Sequence, residues 1–176
     1  MTTMTITEAL AEIKLINNKI DKKRTALAEE SNIFYFEDTR QKPSIDAKQE
    51  LQAIEDLEKR KESIRAAIMK ANLTNSITLN DETKTIYQWL VWKEDVYGQL
   101  ANIYQTEQNM MNRIKNKNDS NPTVLKKEDG TAVILKPVFT LDDKELLSKL
   151  EKLSDTYQKI DGLLSLKNAT ITVTFD

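Results

Sequence analysis

The feature that most constrains this chain is an apolar repeat. Leu146, Leu150, Leu153, Tyr157, Ile160 and Leu164 recur at alternating intervals of four and three. On a helix of about 3.6 residues per turn, such intervals stack on one face; on a strand they would scatter over both. The spacing predicts a long helix over 141–166. Thr140 is its expected cap, and Asp142, Asp143 and Glu145 lie where a helix N-terminus favours negative charge.

Three other stretches follow the same rule. Over 7–30, Ile6, Leu10, Ile13, Asn17, Ile20, Arg24 and Leu27 form a coiled-coil-like seam, and Thr5 with Glu8 fits a capping box. Asn17 and Arg24 then fall on that seam, as polar residues at the edge of an amphipathic stripe. Over 44–71, beginning after Pro43, the buried face reads Ala47, Leu51, Ile54, Leu57, Ile64, Ile68 and Ala71; Glu55, Lys59, Glu62 and Arg65 mark the solvated face. Over 86–115 the stripe runs Ile86, Leu90, Lys93, Tyr97, Leu100, Tyr104, Glu107, Met111 and Ile114. Trp89, Val96, Ile103 and Met110 widen it, and Thr85 with Gln88 suggests a second capping box.

Between these helices the period changes from helical to two. Ile77 and Leu79 alternate with Ser76 and Thr78 ahead of an Asn80-Asp81-Glu82 turn, predicting a hairpin at 76–85. Thr123–Lys127 and Thr131–Lys136 flank Glu128-Asp129-Gly130, predicting a second hairpin at 123–136 that Pro137 ends. At the C-terminus, Ile171, Val173 and Phe175 alternate with threonines, the pattern of a half-buried strand over 170–175. The expected architecture is mainly α: a single domain over 1–176, an antiparallel four-helix bundle with long coiled-coil-like helices, two short β-hairpins and a C-terminal β-strand.

Composition narrows the chemistry. The chain has 176 residues, no cysteine and no histidine. Disulfides, thiolate nucleophiles, histidine general bases and most transition-metal sites are therefore excluded. Its three glycines, Gly98, Gly130 and Gly162, cannot write a phosphate-binding loop or a dinucleotide fingerprint. The carboxylate pairs Asp142-Asp143, Glu128-Asp129 and Glu94-Asp95 lack the apolar surroundings that raise a pKa, so capping and surface charge account for them. Arg113, Lys115, Lys117, Lys126 and Lys127 gather near the second hairpin, but Glu128 and Asp129 dilute them and the reading is a solvated loop. With 26 basic and 28 acidic residues, the balance is not that of a nucleic-acid-binding domain. No apolar run is long enough to span a bilayer, and the start MTTMTITEALAEIK has neither region of a signal peptide. The sequence thus predicts no catalytic residue, no cofactor, no metal, no nucleic acid and no membrane, and a protein kept in a reducing cytoplasm.

What remains is contact with other proteins. Phe34, Tyr35 and Phe36 stand together in a connector as a candidate aromatic anchor. Trp92 lies off the narrow stripe. Val133, Ile134 and Leu135, with Ile171, Val173 and Phe175, are apolar strand segments able to add to a neighbour's sheet.

Three segments, EALAEIKLINNKIDKKR at 8–24, LEKRKESIRAAIMKANLTNSITLNDETKTIYQWLVWKEDV at 57–96 and LSKLEKLSDTYQKIDGLLSLKNATITV at 147–173, resemble the septicolysin-like family of small bacterial and phage proteins. The middle segment carries most of the likeness: a helix ending in Lys-Ala-Asn, a short turn-bearing stretch, then threonine at a helix start. A similar helix-to-asparagine ending recurs in the third. The resemblance implies a helical-bundle protein without catalytic residues. Because similar sequences lie among phage and prophage structural genes, it also implies a non-enzymatic virion component, made in the host cytoplasm, with itself and other virion proteins as partners. The family name suggests the alternative, a soluble pore-forming or membrane-active protein.

Overall fold

The structure, a computed structural model, describes residues 1–29, 32–34 and 45–176. The chain is mainly helical, with short antiparallel strand pairs. It divides into two units. The first comprises Met1–Ile77, Thr85–Tyr87 and Leu163–Asp176; the second comprises Thr78–Lys84 and Gln88–Gly162.

The first unit begins with a strand that the sequence reading missed, β1 (Thr2–Thr5). It pairs antiparallel with β6 (Thr172–Phe175), setting Thr2 opposite Phe175 and Met4 opposite Val173. The Thr3 and Thr174 hydroxyls meet at 3.0 Å across the pair. α1 (Ile6–Leu27) follows at once, with the expected capping box: Thr5 Oγ1 accepts from the Glu8 N–H, and the Thr5 N–H donates to Glu8 Oε2 at 2.7 Å. α2 (Ala47–Thr74) is capped by Asp46, whose carboxylate accepts from the Lys48 and Gln49 N–H groups. The expected start of this helix near Ser44 lies outside the described residues. Lys23 bonds Glu50 at 2.6 Å and Arg60 bonds Glu12 at 3.1 Å, so α1 and α2 run antiparallel.

Ile6, Ala9, Ile16, Ile20, Ile64, Ala71, Val173 and Phe175 form the core of this unit, with Ile13, Ile54, Leu57 and Ile68 packed against it. The stripe of α1 therefore runs Ile6, Ala9, Ile13, Ile16, Ile20. This corrects the expected seam: Leu10, Asn17 and Arg24 lie off it and are exposed. Both phases keep four-three spacing, but the observed one buries only apolar side chains and leaves the polar pair in water. Arg60 adds its guanidinium to the core edge, 5.7 Å from the Phe175 ring centre.

The hairpin of β2 (Ser76–Leu79) and β3 (Glu82–Thr85) forms as expected. Asn80 and Asp81 both have positive φ, the geometry of a two-residue turn whose twist suits paired strands. The helical run that follows is α3 (Ile86–Val91), a π segment (Trp92–Val96) and α4 (Tyr97–Ser120). In the π segment the Tyr97 N–H donates to the Trp92 carbonyl, five residues back. Nothing in the sequence announced this widened turn.

In the second unit, β4 (Thr123–Lys126) and β5 (Ala132–Leu135) pair as expected, with Gly130 at φ +82° in the turn. α5 (Asp143–Thr170) then runs through Gly162 in this unit and continues into the first. Its cap is Asp142, whose Oδ1 accepts from the Lys144 N–H at 2.9 Å, and not Thr140. A carboxylate at the helix start complements the free N–H groups better than a hydroxyl two residues earlier.

Candidate interaction surfaces

In the second unit, α4 and α5 are held by rings and ion pairs. Tyr97 and Tyr157 lie 4.3 Å apart between ring centres, Lys93 sits 5.1 Å over Tyr157 and pairs with Asp161, and Lys115 bonds Asp143 at 2.8 Å. These pairs run in opposite sequence order, so the two helices are antiparallel here. Trp92 meets Trp89 edge-on at 5.7 Å and Tyr97 at 5.9 Å. The π segment thus carries an aromatic chain from Trp89 to Tyr157. Lys84 lies 4.6 Å over the Trp89 ring. Bonding to Asp161 holds the Lys93 ammonium above the usual lysine range. Trp92 is half-buried in this chain of rings rather than standing free.

The β4–β5 ribbon is different. Val124 lies directly opposite Ile134, and Leu125 opposite Val133. The first pair is exposed, at 49% and 59%, on one face of the ribbon; Leu125 at 51% and Leu135 at 42% are exposed on the other. Val133 is half-buried. Among the described residues, β4 and β5 pair only with each other, leaving each strand an outer edge. An open cleft of about 640 Å³ lies between the end of α4 and the segment after β5, lined by Lys115, Asn118, Pro122, Ile134, Lys136 and Phe139.

The other expected interface residues fare unevenly. Phe34 is 52% exposed; Tyr35 and Phe36 lie outside the described residues. Val173 and Phe175 are 4% and 5% exposed, so they are core side chains of this chain and not a surface offered to a neighbour. The reason is β1, whose pairing turns the apolar face of β6 onto α1 and α2. Ile171 packs at the same core edge.

The carboxylates show structural roles. Asp142 caps α5, Asp143 binds Lys115, and Thr131 bonds hold the Asp129 carboxyl below the usual range. That direction is opposite to the one a general acid needs at neutral pH. Of the basic residues near the second hairpin, Arg113, Lys117, Lys126 and Lys127 are exposed, while Lys115 is paired. Among the described residues no cluster of three or more acidic side chains could hold a metal ion, and no helix is long and apolar enough to cross a membrane.

What the sequence reading missed is an apolar stripe that starts at the end of the π segment and runs along α4. Val96, Ile103, Met110 and Ile114 are 38%, 53%, 49% and 41% exposed, although all four were expected on the buried face. The stripe that does face inward is the adjacent one, through Tyr97, Leu100, Tyr104, Glu107 and Met111, all buried or half-buried.

No family model matches the chain, and no curated protein matches it. Among solved structures, the chain is similar to a functionally unknown conserved protein from Corynebacterium diphtheriae, with a TM-score of 0.59 and 17% identity over 98% of this chain and 100% of that one. At that identity the likeness concerns the fold.

Proposed function

We propose that this protein is a non-enzymatic structural or assembly protein that acts through protein–protein contacts, with a bacteriophage particle as its setting. The observation that carries the reading is the β4–β5 ribbon. A two-stranded ribbon is marginal alone in water, and this one exposes Val124 and Ile134 on one face and Leu125 and Leu135 on the other. Apolar side chains on both faces, beside open strand edges, suit strand addition to a neighbouring protein. Lys136 and Pro137 limit how far such pairing can extend. The virion setting is supported by the resemblance to the septicolysin-like family. The reading assigns no catalytic residue and no cofactor. Its partners are other copies of the chain and other structural proteins. The finer architecture, an antiparallel four-helix bundle with coiled-coil-like seams, is part of the proposal and is supported by the four-three spacing.

The test follows a tagged chain into purified phage particles. The wild-type chain is expected to band with particles on a density gradient. The double variant Val124→Lys with Ile134→Glu keeps a favourable cross-strand pair but removes the apolar face. It is expected to lose incorporation while its far-UV circular dichroism is unchanged. A wild-type chain absent from particles, or a variant incorporated at the wild-type level, would overturn the reading.

A further inference from the structure

We propose that the outer face of α4 pairs with the same face of a second copy of the chain, antiparallel, about a two-fold axis at Ile103. This deepens the assembly reading by naming one partner, and it rests on residues separate from the ribbon.

The stripe Val96, Ile103, Met110, Ile114 recurs at intervals of seven, seven and four. Those intervals return to nearly the same side of a helix, so the four exposed side chains form one line. The surface beside them is unusual for this protein. The chain is 31% charged, yet Glu107 is the single charged residue from Tyr97 to Asn112. Gln99, Asn102, Thr106 and Asn109 flank the stripe with neutral polar groups. The outer faces of α2 and α5 also expose apolar residues, Leu51, Met69 and Leu73 on the one and Leu147 and Leu166 on the other, but they set them among charges. They expose Glu55, Lys59, Glu62 and Arg65 on the one, and Glu151, Lys152, Asp155 and Lys159 on the other. Loss of charge and gain of methionine along an exposed stripe mark the centre of a protein interface rather than a solvated face.

Self-pairing is the occupant that the pattern fits. A two-fold interface must be complementary to itself. The centre of the stripe is symmetric about Ile103: antiparallel pairing sets Ile103 on Ile103 and Val96 of each copy on Met110 of the other. The ends agree in charge. Asp95 is exposed at one end, and Arg113 and Lys117 at the other. Antiparallel pairing brings acid to base at both ends, whereas parallel pairing stacks like on like. One helix seam is small for a stable complex, so the dimer forms with rising concentration.

The experiment exploits the absence of cysteine. The mass of the full chain, followed by light scattering, is expected to rise from 20.3 kDa toward twice that value with concentration. Ile103→Cys should form a disulfide-linked dimer on mild oxidation, because residues on the axis face their own copies at bonding distance. Val96→Cys mixed with Met110→Cys should cross-link faster than either alone. Ile103→Asp should keep its circular dichroism and lose the dimer. The ribbon variant Val124→Lys with Ile134→Glu should keep the dimer, which separates failure of this proposal from failure of the assembly reading. A wild-type monomer at every concentration, a dimer untouched by Ile103→Asp, or Val96→Cys linking fastest to itself would each overturn it.

Discussion

The two units use the same helical periodicity to bury different kinds of contact. The first encloses Ile6, Ala9, Ile16, Ile20, Ile64, Ala71, Val173 and Phe175 in one aliphatic core, and β1 and β6 tie the two ends of the chain across it. Two small residues, Ala9 and Ala71, are part of that core. In the second unit the buried apolar residues among those described are Trp89, Met111, Leu146 and Ile160. Its antiparallel helices meet through Tyr97 and Tyr157 and through ion pairs, and it exposes apolar residues along one stripe of α4 and on both faces of a ribbon. Exposed ion pairs contribute little, so the second unit lacks the burial that stabilises the first. Both units leave apolar side chains in water, Leu15, Leu51 and Met69 in the first and Ile103, Met110 and Ile134 in the second, but the first has the larger buried core.

Core truncation tests this difference most severely. Ile64 is fully buried in the first unit, and Ile64→Ala should cost about 2–5 kcal/mol in urea denaturation. Ile134 is 59% exposed in the second, and Ile134→Ala should change stability by no more than about 0.5 kcal/mol. Equal losses at the two positions would mean that the ribbon is packed as tightly as the core, and the contrast would fail.

A second experiment reads the two units separately. Both tryptophans, Trp89 and Trp92, belong to the second unit, so fluorescence excited selectively at tryptophan reports on that unit, while far-UV circular dichroism reports on helices of both. The fluorescence midpoint on heating should lie below that of the slower-melting part of the dichroism signal. For units of this size, each kcal/mol of difference separates midpoints by about 4–8 °C. Coincident transitions would mean that α5, shared by both, makes them unfold as one.

How much of this was legible depended on whether burial leaves a trace in residue type. The α5 stripe did: Leu146, Leu150, Leu153, Tyr157, Ile160 and Leu164 are all buried or half-buried. So did the Thr5–Glu8 box and both hairpins, whose turns demand particular residues. α1 offered two phases with the same spacing. They differ at two places: Leu10 outweighs Ala9 in a hydrophobic count, but Ile16 against the polar Asn17 favours the phase the structure adopts. β1 went unseen because four residues, three of them threonine, show no alternation. Its partner is also far away in sequence: Thr3 and Thr174 are 171 positions apart. The stripe of Val96, Ile103 and Met110 reads as core because an apolar heptad looks the same in sequence whether it is buried or exposed.

The smallest effects concern protons, and they too divide the units. Thr5→Ala removes the hydroxyl half of the α1 cap and should destabilise the first unit by about 1 kcal/mol. The Glu8 carboxyl is held below its ordinary value of 4.5, first by the Thr5 N–H and then by the Thr5 hydroxyl. A depressed folded pKa contributes stability that is present above the unfolded value and lost as pH falls through the folded one. Acid should therefore weaken this cap, and Glu8→Gln should flatten that part of the profile. Lys93 in the second unit runs the other way. Its ammonium is raised above 10.5, chiefly by the bond to Asp161. A raised folded pKa contributes stability that is complete below the unfolded value and lost as pH rises through the folded one. Alkali should then lower the fluorescence midpoint, and Lys93→Met should remove that alkaline slope while Glu8→Gln leaves it in place. If Glu8→Gln moved the alkaline fluorescence profile, or Lys93→Met left it unchanged, the proton-linked stability of the two units would not separate along the boundary drawn by their packing.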